Sequence, residues 1–554
     1  MAPIETVIAP ASTAAPHGHA RAAALAAFVA PQPVVQWVEY KSTGRLLIIG
    51  PADEAWPLSK ALATSLDCAV LATRRPAEPP ESAPPVRTAY GTVHSLTGHL
   101  GAFQLEVETE AGTLAANELV FGAGHPGYDL VLDIQAEPAI KRGVPPLGYH
   151  HAPDSAARER ALRDLPDMVG EFEKPRFIDY NADICAHGER GLEGCHACID
   201  ACPAEAPFSV GERIEVDYNL CQGCGSCTVA CPTGAITYAT PPVGDLLGAV
   251  RRMLATYRAA GGTAPVIALH GDAYDAAVLE GLPAQVLPIR VEDIGSIGLD
   301  AFVTLLAYGA AQVRLLATDG TPSTLLDTTR GQIAIASVVL AGLGDADAER
   351  RILLLTETAA AQSADVPCAL PGEPATFAVL GNKREIFRMA LAHLQQHSPA
   401  MVERAALPAN APFGAITVND DACTLCMACV SVCPASAVQG GGAEPKLWFR
   451  EDSCVQCGLC EKACPENAIK LVPQIDFAAH LQPERRLLHQ EIMQVCLGCG
   501  KPFTTHKMVV RMREKLQNHW MFKDPEAQKV LLMCEDCRIK AVFADNSPVH
   551  PHPK

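Results

Sequence analysis

Residues 221–232 read Cys-Gln-Gly-Cys-Gly-Ser-Cys-Thr-Val-Ala-Cys-Pro, so that Cys221, Cys224, Cys227, Cys231 and Pro232 form a C-x2-C-x2-C-x3-C-P run. The spacing returns at Cys423, Cys426, Cys429, Cys433 and Pro434, and again at Cys454, Cys457, Cys460, Cys464 and Pro465. A fourth copy keeps Cys195, Cys198, Cys202 and Pro203, but its leading cysteine is Cys185, and Gly188, Gly191 and Gly194 suit the insertion between them to a loop. Thiolates two residues apart wrap a tight loop around one metal–sulfur cube. The proline ends that loop and turns the chain away, since it offers no N–H.

The repeat extends beyond cysteine. Two residues before each leading cysteine stands Asp183, Asn219, Asp421 or Asp452, expected to start the turn by accepting a bond from its own backbone two residues on. Five residues before it stands Tyr180, Val216, Val418 or Phe449, a cover for the cube. Four residues after each final cysteine stands Ala206, Ala235, Ala437 or Ala468, where the returning strand packs tightly.

Each triple run supplies three ligands, and in two-cluster ferredoxins the fourth cysteine of one run ligates the other cluster. That rule gives four sites. The first is Cys185, Cys195, Cys198 and Cys231; the second is Cys221, Cys224, Cys227 and Cys202. The third is Cys423, Cys426, Cys429 and Cys464; the fourth is Cys454, Cys457, Cys460 and Cys433. Structural zinc is the competing reading, but zinc ribbons lack the triple run with its trailing Cys-Pro. A [3Fe–4S] cluster or an absent one stays open at individual sites, the Cys185 site first. The pattern resembles the bacterial-type 2[4Fe–4S] ferredoxin family twice over, across 176–240 and 414–474. The resemblance implies pairs of clusters close enough for rapid one-electron transfer.

The rest of the chain fits this reading. Twenty-two cysteines in 554 residues, mostly in short-spaced groups, indicate metal sites, because disulfides between such close neighbours would close strained loops. Thiolate-held clusters need a reducing compartment for assembly, so a cytoplasmic location is expected. The net charge of −18 argues against nonspecific nucleic-acid binding and fits either a charge-selected partner or a solvated acidic surface. The longest apolar stretches, such as Ile333 to Leu343, fall short of the ~20 residues of a transmembrane helix. An Ala-rich run from Arg21 to Ala30 follows Glu5 with no basic leader, so 1–35 reads as a flexible tail entering a helix, not a signal peptide.

Between the cysteine modules, 262–397 alternates strand and helix. Val266–Leu269, Ala284–Val291, Val313–Ala317 and Arg351–Leu355 read as strands, and Asp300–Ala310, Thr324–Leu343 and Lys383–Gln396 as helices, a βαβ pattern with a parallel sheet. Arg45–Ile49 and Cys68–Thr73 read as strands within an N-terminal α/β region over 36–135, Pro76 to Pro85 as a loop, and 86–122 as a β-meander. A linker is expected over 398–412. The fold class is therefore a mixed α+β and α/β multidomain chain: two ferredoxin-like dicluster modules flank a parallel-sheet domain, with an N-terminal α/β region and a C-terminal zinc ribbon over 485–545.

That ribbon rests on Cys496 and Cys499, followed by Gly500 and Lys501, and on Cys534 and Cys537. Two C-x2-C knuckles suit tetrahedral zinc; rubredoxin-type iron and a redox dithiol pair are the alternatives. The stretch from Pro265 through Pro288, Ile289, Arg290 and Val291 to Gly309 and Ala310 resembles the delta subunit of methyl-viologen-reducing hydrogenase, which passes electrons to heterodisulfide reductase. Where that family's cluster cysteines would stand, this chain has Asp293 and Thr318, so the domain is expected to be a scaffold or docking element. Gly91 to Gly124 resembles the meander of heterodisulfide-reductase-type flavoproteins, but Gly122, Gly124 and Gly127 do not form a dinucleotide fingerprint, so no flavin is expected. Cys68 and Cys368 read as buried inert thiols, and His187 and His196 as loop polar residues or hydrogen-bond donors to the cluster.

These features imply an electron-transfer protein with four [4Fe–4S] clusters and one zinc, more a relay component than a catalyst. The general layout resembles proteobacterial ferredoxin proteins associated with formate dehydrogenases, which implies a redox-enzyme partner, of the formate dehydrogenase or the hydrogenase/heterodisulfide-reductase kind. The alternatives are a maturation factor for a metalloenzyme and a flavin-containing subunit of the heterodisulfide-reductase type.

Overall fold

Four consecutive aliphatic residues, Leu46 to Ile49, have no solvent exposure, because the strand that carries them is covered on both faces. The computed structural model describes residues 16–76, 86–109, 112–115, 127–356, 361–398, 400–442 and 444–544. After an opening helix α1 (Pro16–Ala27), strands β1 (Arg45–Gly50), β2 (Asp67–Ala72), β3 (Arg87–Tyr90), β4 (Leu130–Asp133) and β5 (Tyr149–His151) form a parallel sheet of order β3-β2-β1-β4-β5. Helix α2 (Ala52–Leu62) links β1 to β2, and an antiparallel meander of Thr92–Thr97, Gln104–Thr109 and Gly112–Ala115 enters between β3 and β4. This is the strand order of one class of dinucleotide-binding sheet. The turn where a pyrophosphate would sit is poorly suited to one: Ala52 N–H already donates to Arg74 O at 3.2 Å, and Asp53 and Glu54 occupy the first helical turn. Glu5, most of the Pro-rich loop, Gly122 and Gly124 lie outside the described residues.

The strands and helices expected over 262–397 are found close to their expected places, and a helix not expected before 262 packs into the same core. Helix α3 (Val243–Ala259) leads into β6 (Val266–His270), β7 (Val286–Arg290), α4 (Leu299–Ala307), β8 (Gln312–Leu316), α5 (Ser323–Gly342), β9 (Ile352–Leu355) and α6 (Lys383–Gln396). The four strands form a parallel sheet of order β7-β6-β8-β9. Asn382 and Glu385 close a reciprocal capping box at the start of α6. A buried bidentate pair joins Arg351 to Asp345 at 2.7 and 3.0 Å.

Several expectations need correction. Within 1–35, the helix that the tail was expected to enter starts earlier, at Pro16, and is part of the middle-domain core: Ala20 and Ala24 are fully buried against α3, and Arg21 donates to Leu282 O at 3.0 Å. Alanine lets the two helices approach closely, and residues 1–15 lie outside the described chain. The 398–412 stretch is not a linker: Arg404–Ala406 pairs antiparallel with Ile469–Asp476, and Leu407 and Ala411 are buried. The 485–545 module starts later than predicted, because Arg486–Gln490 pairs with Lys446–Phe449 as a strand of the second ferredoxin module. Its own hairpin is Met493–Val495 with Pro502–Thr505, followed by helix α7 (His506–Leu516). Cys68 is buried, but Cys368 is exposed. Among the described residues, no helix is long and apolar enough to cross a membrane.

Candidate iron–sulfur sites

Each cysteine copy begins on one strand and ends on a strand that belongs to its neighbour. Ile178–Tyr180, leading to Cys185, pairs antiparallel with Ile236–Tyr238, which follows Cys231. Pro207–Val210, after Cys202, pairs with Arg213–Val216, before Cys221. In the second module Gly414–Val418 pairs with Ile469–Asp476, and Val438–Gly440 with Lys446–Phe449. The alanines four residues past the final cysteines mark this exchange. Ala235, Ala206, Ala468 and Ala437 accept from the N–H groups of Asn181, Asp217, Asn419 and Arg450, each at 2.8 or 2.9 Å and each standing before the leading cysteine of the other copy. All four alanines are buried. Two of their N–H groups turn to sulfur: Ala206 donates to Cys202 Sγ at 3.4 Å and Ala468 to Cys464 Sγ at 3.2 Å.

Within each module the predicted thiols lie buried near one another. Burial pushes the Cys198 thiol up to about 12, and its neighbours Cys231, Cys195 and Cys185 add to the rise. Burial likewise raises Cys227, followed by Cys224, Cys202 and Cys221 and then by Cys198 of the paired site. Burial raises Cys429 to about 12, with Cys426, Cys423 and Cys464 beside it, and those four thiols line one small cavity with Leu425, Leu447 and Ile469. Burial also raises Cys460, followed by Cys454, Cys457 and Cys433 and then by Cys429 of the paired site. A tetrathiol set with backbone N–H groups aimed at sulfur fits a [4Fe–4S] cube, which takes four thiolates. Four thiols could not stay buried and charged together without such a cation-rich group to neutralise them. All twenty-two cysteines are free of disulfides.

The loops wrap by left-handed turns. Gly223 and Gly225, Leu425 and Met427, and Gln456 and Gly458 all have positive φ at matching places in the three regular copies. Glu205, Gly234, Ser436 and Asn467, three residues past each final cysteine, do so in all four. The turn-starting acceptor lies two residues earlier than expected. Asn181, Asp217 and Asn419 accept from the N–H two residues on, whereas Asp452 instead binds Arg450 and Arg388. Of the expected covers, Phe449 is buried, and Tyr180, Val216 and Val418 are partly buried against the cysteine clusters.

Sequence reading missed four cations, each sent in from outside the ferredoxin repeats. Lys174 Nζ donates to Asn219 O at 2.8 Å and Cys221 O at 2.6 Å, beside the second site. Lys383 Nζ donates to Thr228, Val229 and Cys231 carbonyls, each at 2.9 Å, beside the first. Arg384 donates to Asp452 O at 2.8 Å and Cys454 O at 3.0 Å, beside the fourth. Lys507, on α7, donates to Asp420 O beside the third. Their only sequence signal is charge, and nothing in spacing ties them to cysteines far away along the chain. His187 is buried and bridges Cys195 O at 2.9 Å and Ser209 Oγ at 2.8 Å, the loop-polar role expected of it; His196 stacks edge-on against it.

The C-terminal cysteines form a separate group. Cys496, Cys499, Cys534 and Cys537 place their sulfurs within 4.8 Å of one another. Gly498 N–H and Cys534 N–H donate to Cys496 Sγ at 3.3 and 3.2 Å, and the bond from Cys534 leads in drawing that thiol down to about 6. The donor set suits one tetrahedral metal ion. The module is joined to the third site, since Thr505 Oγ1 donates to Thr424 O at 2.8 Å.

Comparison with known proteins agrees in kind. Residues 422–469 match the model of a 4Fe-4S dicluster domain, and 214–237 and 183–205 each match a 4Fe-4S binding domain. The chain is 31% identical over 104 residues to an iron-sulfur subunit of the CoB–CoM heterodisulfide reductase of Methanocaldococcus jannaschii, covering 15% of this chain and 14% of that protein. It is 40% identical over 60 residues to AegA of Escherichia coli (strain K12), a protein named as an oxidoreductase, covering 10% of this chain and 9% of that one. The matches therefore span a small part of either relative. They and the folded repeats make this a chain with ferredoxin-type iron–sulfur domains suited to electron transfer, plus a four-cysteine metal-binding group.

Proposed function

We propose that the chain relays single electrons through four [4Fe–4S] clusters, held by Cys185, Cys195, Cys198 and Cys231; Cys221, Cys224, Cys227 and Cys202; Cys423, Cys426, Cys429 and Cys464; and Cys454, Cys457, Cys460 and Cys433. The observation that supports this is the exchange of strands, in which the strand after the last cysteine of each copy pairs with the strand before the leading cysteine of its partner. When bound, such clusters supply reversible one-electron chemistry. The chain's own part is to fix their spacing, exclude solvent with buried side chains, and tune them by hydrogen bonds to sulfur and by nearby cations. Cys496, Cys499, Cys534 and Cys537 hold one zinc that organises the C-terminal module. The middle domain, like a hydrogenase delta subunit without its cluster cysteines, serves as scaffold. The partner is a redox enzyme of the formate dehydrogenase or heterodisulfide reductase kind.

The test is a reductive titration of anaerobically purified protein. About four electrons should be taken up per chain, one for each cluster. Cys224→Ser should weaken the second site and perturb the first less. Uptake of no electrons, or a reduced EPR spectrum unchanged by Cys224→Ser, would refute the assignment. One observation favours a second reading, a flavin-containing oxidoreductase subunit: the strand order of the N-terminal sheet. Its acidic helix start opposes that reading, and a flavin absorbance in the purified protein would establish it.

A further inference from the structure

The two ferredoxin modules are separated in sequence by the whole middle domain, yet they touch, and they touch at ligand loops. Gly194, directly before Cys195, lies so close to Leu459, directly before Cys460, that a Cβ on Gly194 would stand 2.8 Å from Leu459 Cγ. Leu459 is completely buried there. Lys462 Nζ donates to Glu193 O across the same contact at 2.6 Å. A second link comes from the start of α6. Its adjacent cations divide between the modules: Lys383 holds the carbonyls of Thr228, Val229 and Cys231, while Arg384 holds those of Asp452 and Cys454 and lies over the Phe413 ring at 4.7 Å. Cys231 and Cys195 belong to the first site, and Cys454 and Cys460 to the fourth. Both links therefore join the same two sites.

At the outer ends the surroundings differ. The second site is covered by the middle domain, where a Cβ on Gly225 would meet Ser296 Cα at 2.4 Å and one on Gly295 would meet Cys224 O at 2.6 Å. At the third site Cys426 is exposed, unlike the other fifteen ligand cysteines.

We propose that the Gly194–Leu459 contact and the Lys383–Arg384 clamp form an electronic junction, which orders the four sites in one unbranched series, second, first, fourth, third, with the Cys426 end open to a redox partner. This rests on the relay reading above and extends it. A one-electron transfer across the junction oxidises one site, reduces the next, and breaks no bond. Tight contact between the loops shortens the gap that the electron crosses. Lys383 and Arg384 act as positioning residues whose positive charge also favours the reduced state on both sides.

The experiment uses the full chain, purified without oxygen and fully reduced, with iron and sulfide counted first. EPR splitting and spin relaxation are compared between the wild type and two ligand variants, Cys198→Ser for the first site and Cys426→Ser for the third. Loss of the first site should remove coupling from both the second and the fourth, and loss of the third should alter the fourth alone. A fourth-site signal indifferent to Cys198→Ser would overturn the junction, even with full iron and sulfide. A low iron and sulfide count in the wild type would instead sink the relay reading beneath it. Lys383→Met and Arg384→Met, which keep every ligand, give an independent arm. They should shift the first- and fourth-site potentials, respectively, to more negative values and leave the second and third in place; a uniform shift, or none, counts against the clamp. A water-soluble paramagnetic chelate should speed relaxation of the third site most, and equal effects on all four would rule out the open end.

Discussion

Gly225 and Gly458 occupy the same place in two cysteine loops, with φ of +76° and +82°, yet replacing each by alanine should have unequal consequences. Either substitution places a side chain in the left-handed region at a cost of about 1–2 kcal/mol. At Gly458 little more is added, because the nearest atom to the new Cβ is Leu471 Cδ1 at 3.9 Å. Met427 fills the equivalent place in a third loop at φ +63°, showing that a side chain is accepted where space exists. At Gly225 the Cβ would lie 2.4 Å from Ser296 Cα and 2.8 Å from Ser296 N, and a backbone cannot rotate out of the way. Relief requires the first module to draw back from the turn at 294–298, a further about 1–3 kcal/mol by the usual cost of overpacking. Gly225→Ala should thus cost about 2–5 kcal/mol, against about 1–2 for Gly458→Ala. Anaerobic guanidinium titration, followed by visible absorbance and far-UV circular dichroism, measures both. Equal midpoint shifts, or a larger one for Gly458→Ala, would refute the packing of module against middle domain.

Other outcomes follow from the same contacts. Stripping the metal from the four C-terminal cysteines, by chelator or by Cys534→Ser, should raise hydrogen exchange across 493–544 and leave the strands of 414–476 protected, since metal binding and local folding are one equilibrium. The His480 imidazole is held down to about 3 by burial, then by Arg384, and neither ring nitrogen has a hydrogen-bond partner among the described residues. It folds neutral, so its contribution is intact above the ordinary histidine range and is lost as pH falls from about 6.5 toward 3. At pH 5 the loss is about 2 kcal/mol, and denaturant titrations across pH should show that slope flattened in His480→Phe. Asp345→Ala leaves the buried Arg351 guanidinium without its bidentate partner and should cost about 3–5 kcal/mol, read by thermal unfolding in circular dichroism.

What the sequence revealed and what it hid divide along contact range. The cysteine loops were legible because their geometry is local: the cysteines, a proline and a left-handed turn fall within a dozen residues, and the copies check one another. The middle-domain strands were legible for a similar reason, as continuous aliphatic runs such as Val266–His270 mark strands buried on both faces. Local reasoning slipped at the turn acceptor, where Asp183 and Asp421 looked suitable but Asn181 and Asn419 stand where the strand ends and the N–H groups are free to bond. Elements stabilised from afar were hidden. Helix α1 has few bulky apolar residues, so its sequence announces a helix without a packing face, yet small alanines are what let it seat on α3, over two hundred residues away. Arg404–Ala406 is too short and mixed to announce a strand, and it exists because Ile469–Asp476 offers an unpaired edge. Lys174, Lys383, Arg384 and Lys507 carry no motif at all; the fold alone directs them to carbonyls of the cysteine loops.

The iron that the protein holds tests the four-cluster assignment most directly. Mössbauer spectra of iron-57-enriched, oxygen-free full-length protein should show about sixteen irons per chain, all in [4Fe–4S] environments, with zinc confined to about one ion. A colourless protein carrying zinc alone, or iron held singly by four sulfurs, would contradict it.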